Sequence, residues 1–469
     1  MVKQGLEKIV RTRIPPSPTG QDIHVGNLYT ALINFAQAKK NNGKFIVRIE
    51  DTDRTRYQEG ADIKILESLK KFGIYYDEGP DIGGPFEPYR QSERLPIYKK
   101  YADELIEKGI AYYCFCSKER LEELRSNQLK EKKQTKYDKF CLLSVNNPQE
   151  RIKAGDSYVI RLNVLANKKM WFKDLIRGQI TIDSSEIDDQ VLLKSDGFPT
   201  YHLAVVVDDH IMQISHIIRA EEWISSTPKH VLLYEAFGWE KPVFAHLPIL
   251  RNPDKSKLSK RKNPVWASWY LEQGFLPEAM LNYLALLGWS HPEEKDIFTL
   301  DEFIQLFRLE DVKPVGPIFD ITKLTWMNQQ YIQNKSDEEL KKLLLDFSIS
   351  AKNMSGETLE KLIPLLKSRM ETLSDFEKLA AIFIDQMADI IYDENEKKLV
   401  KDLHASLSEL KSWKHDIIFE SLKEIMLEHK IRMGVLYKIF IGVDRGLPLP
   451  ETLEILGKAK SLDRLNSIK

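Results

Sequence analysis

Three short stretches carry residue types that handle phosphate: Ser17-Pro18-Thr19-Gly20, His24-Val25-Gly26-Asn27 and, far downstream, Lys257-Leu258-Ser259-Lys260-Arg261. Ile9 to Ile14 reads as a short buried strand, and Pro15, Pro16, Pro18 and Gly20 forbid its continuation. Leu28, Ala31, Leu32, Phe35 and Ala36 then recur at helical spacing until Asn41-Asn42-Gly43 closes the helix. A strand, a loop and a helix in that order aim the free N–H groups of the helix start at whatever lies over the carboxyl end of the sheet. Such a place binds anions. His24 adds a side-chain donor there, and Gly26 lets a ligand approach the backbone. The downstream stretch belongs to a cationic loop, Arg251 to Lys262, between strand-like Val243 to Leu250 and helical Trp266 to Gln273. Leu258 and Ser259 between lysines suit a loop that docks at one point and presents ammonium groups from either side. Such a loop neutralises charge as it spreads over a triphosphate. Prolines and glycines alone would make only a turn, and a charge run alone only a solvated face. The two together, in this order, point to nucleotide chemistry.

Further stretches are longer and more specific. They are Phe45-Ile46-Val47-Arg48-Ile49-Glu50-Asp51-Thr52-Asp53, Tyr89-Arg90-Gln91-Ser92-Glu93-Arg94, Asp196-Gly197-Phe198-Pro199-Thr200-Tyr201-His202-Leu203-Ala204, Val207-Asp208-Asp209-His210 and Ile218-Arg219-Ala220-Glu221-Glu222-Trp223. With the phosphate stretches they resemble bacterial glutamyl-tRNA synthetases, class I aminoacyl-tRNA synthetases, over nearly the whole chain. The resemblance implies ATP binding by Ser17, Thr19, Gly20, His24, Gly26, Glu222, Trp223, Lys257, Leu258, Ser259, Lys260 and Arg261. Among these, His24, Lys257 and Lys260 would act on the reacting phosphates, with Mg²⁺ on the departing ones. It also implies that Arg13 and Arg219 bracket the side-chain carboxylate of L-glutamate, that Glu50 pairs with its α-ammonium, and that Tyr201 and Ser17 offer hydroxyls. Arginine suits that task, because its planar fork matches a carboxylate. Glutamine would set NH₂ donors against guanidinium donors, at a cost of roughly 1–3 kcal/mol.

The implied reaction has two steps. Glutamate attacks the α-phosphorus of ATP to give glutamyl-adenylate and pyrophosphate, and a ribose hydroxyl of the tRNA's terminal adenosine then attacks the activated carbonyl. Family members also need tRNA bound before they activate glutamate. The alternatives are a non-discriminating enzyme that also charges glutamine tRNA with glutamate, and a catalytically silent RNA-binding paralogue.

Two features depart from the family's commoner pattern. Gln21-Asp22-Ile23 puts three residues between Gly20 and His24, where two are usual. Cys114, Cys116 and Cys141 match the spacing of zinc-binding members, but Leu143 stands where those members carry histidine. Tyr137, four before Cys141, is then the candidate fourth ligand for Zn²⁺, as in a related tRNA-modifying branch. The alternative is three thiols in a small core. Arg369 stands where discriminating members carry an arginine that reads the third anticodon base, although a helical-domain arginine is more often a surface ion pair.

These side chains must be positioned by several elements. Strand and helix patterns alternate from Val10 to about Gly109, as in a parallel sheet with crossover helices. The expected fold class is α/β: a Rossmann-like parallel-sheet catalytic domain, an inserted acceptor-binding domain and an all-helical C-terminal anticodon-binding region. The expected divisions are 1–109 and 188–250 for the catalytic halves, 110–187 for the insertion, 251–331 for the ATP-motif loop and a helical stem-contact domain, and 332–469 for the anticodon-binding helices. Strand-like Tyr158 to Val164 and Gln179 to Asp183 fall in the insertion, and Gln190 to Lys194 and Ile214 to Arg219 in the resumed sheet. At 469 residues and 42% hydrophobic content the chain can bury several cores. Its net charge of −1 leaves RNA binding to local patches, Arg251 to Lys262 and the Lys118 to Lys139 region. Met1 to Arg13 has no apolar core, no run approaches a membrane span, and three cysteines make no disulfide framework. A cytoplasmic monomer, with no membrane partner, is the expectation.

Overall fold

The computed structural model describes residues 9–165, 168–258, 264–384 and 392–468. They fall into two compact units, Met1–Trp269 with Leu281–Asp320, and Tyr270–Met280 with Ile321–Lys469.

The first unit is built on short strands. β1 (Arg11–Ile14) and β2 (Lys44–Val47) pair in parallel, with Arg11 opposite Lys44 and Ile14 opposite Val47. The crossover between them is the helix Val25–Lys40, whose inward face of Leu28, Ala31, Leu32 and Phe35 is buried as its spacing requires. At the return to β2 the chains approach closely, so that a Cβ on Gly43 would lie 2.0 Å from the Val10 carbonyl oxygen. Next along the chain come β3 (Ala111–Cys114), β4 (Val159–Leu162), β5 (Lys169–Asp174), β6 (Gly178–Asp183) and β7 (Val191–Leu193). β8 (His216–Ala220) and β9 (Val243–Leu247) pair in parallel, from His216 opposite Val243 to Ala220 opposite Leu247. The Ser215 N–H donates to the Arg11 carbonyl at 2.9 Å, and the Arg11 N–H donates to the Ser215 hydroxyl at 2.8 Å, so β1 runs beside the start of β8.

Strand partnership differs from the linear order. β6, which covers the Gln179 to Asp183 stretch expected in the insertion, pairs through β5 with β9 in the order β6-β5-β9-β8. β7, expected to resume the catalytic sheet, pairs with β4 instead, in the order β3-β4-β7. Three to six residues of alternating pattern specify that a strand forms and which face it buries, but not its neighbour.

Among the described residues the second unit contains helices and no strand. Its helices start with local signals. Ser336 with Glu339, and Asp393 with Glu396, form capping boxes at the helices Asp337–Phe347 and Glu394–Ser408. Two apolar cores follow along the chain, one around Leu362, Leu366 and Phe376 and one around Leu403, Leu422 and Phe440. No helix among the described residues is long and apolar enough to cross a membrane.

Candidate active site

The first phosphate stretch forms a helix start, as its order predicts. His24 caps the helix Val25–Lys40, its Nδ1 accepting the Gly26 N–H at 3.0 Å. Gly26 has room for little else: a Cβ there would stand 3.3 Å from that imidazole nitrogen. The residues after the cationic loop lie against this start. The Val25 N–H donates to the Val265 carbonyl at 2.7 Å, and the Ala267 N–H to that of Ile23 at 3.0 Å. Gly20 packs under Trp266, because a Cβ there would meet the indole at 2.4 Å. The longer spacer is anchored here too. Ile23 is buried, and Asp22 accepts the Ser68 hydroxyl at 2.6 Å and the Ser268 N–H at 2.8 Å. The three-residue spacing therefore leaves His24 at the helix cap.

A cavity of about 260 Å³ is lined by His24, Gly26, Glu222, Lys257 and Leu258, so both phosphate stretches reach one space. Leu258 is buried and its N–H donates to the Leu250 carbonyl at 3.0 Å, but it is not the only anchor: Asn252 Nδ2 donates to the Lys257 carbonyl at 3.0 Å and Arg251 Nη1 to that of Lys255 at 3.1 Å. The Lys257 ammonium lies 2.5 Å from Glu222. Ser259, Lys260 and Arg261 lie outside the described residues.

A second cavity, of about 710 Å³, is lined by Ser17, Thr19, Glu50, Tyr201, Glu222 and Trp223 among others. The two cavities share Asn27, Thr30, Ala220 and Glu222 in their walls. Tyr201 and Trp223 lie ring against ring, with centroids 4.5 Å apart. Arg219 stands behind them, donating to the Tyr201 hydroxyl at 2.9 Å. Glu50 is buried at the cavity wall and accepts from Arg48 at 3.0 Å. Its burial pushes the carboxyl up to about 7; Arg48 and Arg13 oppose that rise and Asp209 adds to it. Arg56 and Lys194 also line this cavity, and no motif in the sequence had marked them as ligands.

Beneath the cavity lies a layer of charge. Arg13, one of the two arginines expected on the substrate carboxylate, is fully buried and forks onto Asp209 through Nε and Nη2, both at 3.1 Å. Its Nη1 has no hydrogen-bond partner among the described residues. Arg48 donates to the same Asp209 at 2.8 Å, and Arg94 donates to Asp208 at 2.8 Å. Gln91 and Tyr98 complete Asp208 with bonds of 2.9 and 2.8 Å. Burial alone would raise Asp209, but Arg13 and Arg48 outweigh it and hold the carboxyl below its usual value. Sequence reading assigned Asp208, Asp209, Arg48 and Arg94 no role. The signal available was their presence inside otherwise apolar strand and helix patterns.

The remaining candidates lie elsewhere. Cys114, Cys116 and Cys141 hold their sulfurs within 4.8 Å of one another. The Tyr137 hydroxyl stands 3.4 Å from Cys114 and 3.3 Å from Cys116, and accepts the Cys141 N–H at 3.0 Å. Leu143 is 77% exposed, outside this cluster. Arg369 is exposed in the second unit, just past the helix Gly356–Lys367, and among the described residues it makes no ion pair.

The model of the catalytic domain of class I tRNA synthetases (E and Q) matches residues 9–326, and that of an anticodon binding domain matches 334–469. The glutamate–tRNA ligase of Thermus thermophilus is 46% identical over 473 residues, which cover 97% of this chain and 99% of the relative. That of Cellvibrio japonicus is 45% identical over 471 residues, 97% of this chain and 92% of the relative. Among solved structures, a glutamate tRNA ligase from Elizabethkingia meningosepticum in complex with its amino acid is similar at a TM-score of 0.85 and 36% identity, covering 98% of this chain and 99% of that one.

The buried charge layer generates a stability prediction. Asp209→Asn leaves two guanidiniums without their shared carboxylate and should destabilise the first unit by about 3–5 kcal/mol in urea unfolding. Because the folded-state value is depressed, the contribution of Asp209 is present above about pH 4 and is lost as pH falls further. The gap in stability between wild type and variant should therefore narrow in acid. A loss below about 1 kcal/mol at neutral pH would show that the layer is not held by Asp209.

Proposed function

The chain belongs to the class I tRNA synthetases of the glutamate and glutamine group, and we propose that it is a glutamate–tRNA ligase that activates L-glutamate with ATP and passes it to the terminal adenosine of glutamate tRNA. The observation that carries this function is the pair of cavities with a common wall. One presents a helix start and Lys257, groups for phosphate; the other presents Glu50, Tyr201 and Trp223 in front of Arg219, groups for an amino acid.

In the first step an α-carboxylate oxygen of glutamate attacks the α-phosphorus of ATP, and pyrophosphate leaves with the Mg²⁺ that entered as part of the nucleotide substrate. The helix start at His24 and Gly26, with Lys257 and by motif match Lys260, stabilises charge on the phosphates. Triphosphate oxygens compete with Glu222 for the Lys257 ammonium. Trp223 and Glu222 hold the nucleoside, and Glu50 holds the α-ammonium. In the second step a ribose hydroxyl attacks the activated carbonyl carbon and AMP leaves. Both steps depend on positioning and charge stabilisation rather than on a protein nucleophile.

We assign the acceptor end of the tRNA to the insertion around 110–187 and the anticodon to the second unit, where the exposed Arg369 reads the third base. The working unit is a cytoplasmic monomer. Cys114, Cys116, Cys141 and Tyr137 suit Zn²⁺, since a tetrahedral ion with bonds near 2.3 Å needs sulfurs about 3.8 Å apart and Cys116 and Cys141 already stand at 3.5 Å. The ion would tie β3 to the segment carrying Tyr137 and Cys141, a structural role.

Three outcomes are expected. Labelled pyrophosphate should enter ATP when glutamate and glutamate tRNA are both present, and not without tRNA. No exchange under any condition, with RNA still bound, would replace the ligase by a silent RNA-binding paralogue. Second, Glu50 must be ionised to hold an ammonium, and its raised value means that it gains charge only as pH rises through about 7. KM for glutamate should therefore fall between acid and mildly alkaline pH, and Glu50→Gln should flatten that profile. Third, metal analysis of the purified chain should find about one zinc, lost in Cys141→Ser; a zinc-free wild-type chain with unchanged melting would leave the thiols as core.

A further inference from the structure

Arg219 is 4% exposed, and all five of its N–H donors are placed. Nη1 donates to the Tyr201 hydroxyl at 2.9 Å and to His230 Nδ1 at 3.3 Å. Nη2 donates to the Thr227 hydroxyl at 2.8 Å and the Trp223 carbonyl at 3.4 Å. Nε donates to His246 Nε2 at 3.2 Å. None of these acceptors is a carboxylate. Arg13, Arg48 and Arg94, buried in the same unit, each reach one directly. On this side Asp174 meets Arg219 only through the His246 ring, whose Nδ1 stands 2.6 Å from it.

A guanidinium has no lone pair to offer, so every imidazole nitrogen facing it must accept. His246 therefore carries its proton on Nδ1, given to Asp174. His230 carries its proton on Nε2, given to His202 Nδ1 at 3.1 Å, and His202 in turn is protonated on Nε2. One guanidinium thus sets the tautomers of three histidines, and all three are neutral. Burial pushes each of them down, His202 to about 3, with Arg219 adding to the effect. Tyr201 lines the larger cavity and accepts a hydrogen bond from Arg219, which leaves its own O–H to donate into that cavity.

We propose that His246 and His230 are positioning residues for the side-chain carboxylate of the amino acid: as neutral acceptors they hold Arg219 behind Tyr201 with its charge uncompensated, so that hydroxyl and guanidinium together select an anion. The proposal rests on the glutamate substrate assigned above. A carboxylate in place of either imidazole would satisfy the same N–H groups but cancel the charge. Neutral holding groups therefore serve selectivity where acidic ones would serve only stability.

The test is tRNA-dependent pyrophosphate exchange with glutamate and with glutamine, on the wild-type chain and on His246→Ala, His246→Gln, His230→Ala and His230→Glu. The alanine variants should raise KM for glutamate about ten- to a hundredfold while KM for ATP stays within about twofold. His246→Gln, whose amide oxygen can accept from Nε, should recover most of the loss. His230→Glu should lower the preference for glutamate over glutamine by at least about tenfold. An unchanged KM for glutamate in both alanine variants would overturn the proposal, as would equal losses for glutamate and ATP. An active wild type with these results removes the proposal alone, whereas a wild type without glutamate-dependent exchange removes the substrate assignment and the proposal with it. Nitrogen-15 spectra of the ten histidines provide a readout independent of variant folding. Neutral Nδ1–H for His246 and neutral Nε2–H for His230 are expected, and an imidazolium at either position would refute the arrangement.

Discussion

Asp208 and Asp209 leave the helix Tyr201–Ile211 side by side and meet three guanidiniums in a layer that solvent does not reach. Charge buried in this way is costly unless each partner is met by geometry and further hydrogen bonds. Gln91 and Tyr98 supply those for Asp208, and Arg13 and Arg48 share Asp209. The layer ties β1, the segment after β2, the helix Leu95–Glu107 and the helix Tyr201–Ile211 to one another. The cavity wall above it, including Glu50 and Tyr201, inherits its position.

Above the layer the logic reverses. Arg219 meets hydroxyls, a carbonyl and imidazoles instead of a carboxylate, and Glu50 has its ionisation suppressed by burial more than it is restored by Arg48. The protein pairs the arginines of the floor with carboxylates and leaves Arg219, behind the cavity wall, with none within hydrogen-bond reach among the described residues.

The phosphate side depends on a different device. A helix start carries N–H groups that its own helix cannot bond; here those of Val25 and Gly26 are taken up by the Val265 carbonyl and His24 Nδ1, and the approach is shaped by Gly20 under Trp266 and by the pairing of 264–267 with 22–25. On either side of residues 259–263 the described chain is anchored, Leu258 to the Leu250 carbonyl and Val265 to the Val25 N–H. The three-residue spacer before His24 fits because Asp22 turns inward to Ser68 and Ser268.

By itself the sequence determined the elements and the kinds of chemistry. Prolines, glycines and apolar spacing marked β1 and the helix Val25–Lys40, because these signals act within a few positions of one another, while the long motifs offered Glu50, Tyr201 and Arg219, and the cationic stretch Lys257, as candidates through the resemblance they carry. Only the tertiary structure decided which charges cancel. Arg13 and Asp209 are 196 positions apart, and His246 meets Asp174 across 72, so no local pattern could say that one arginine would be paired with a carboxylate while another met hydroxyls and imidazoles. Tertiary structure likewise decided that β6 joins β9 through β5 and that β7 joins β4, since a strand's alternation sets its face and leaves its neighbour to the packing of the whole unit.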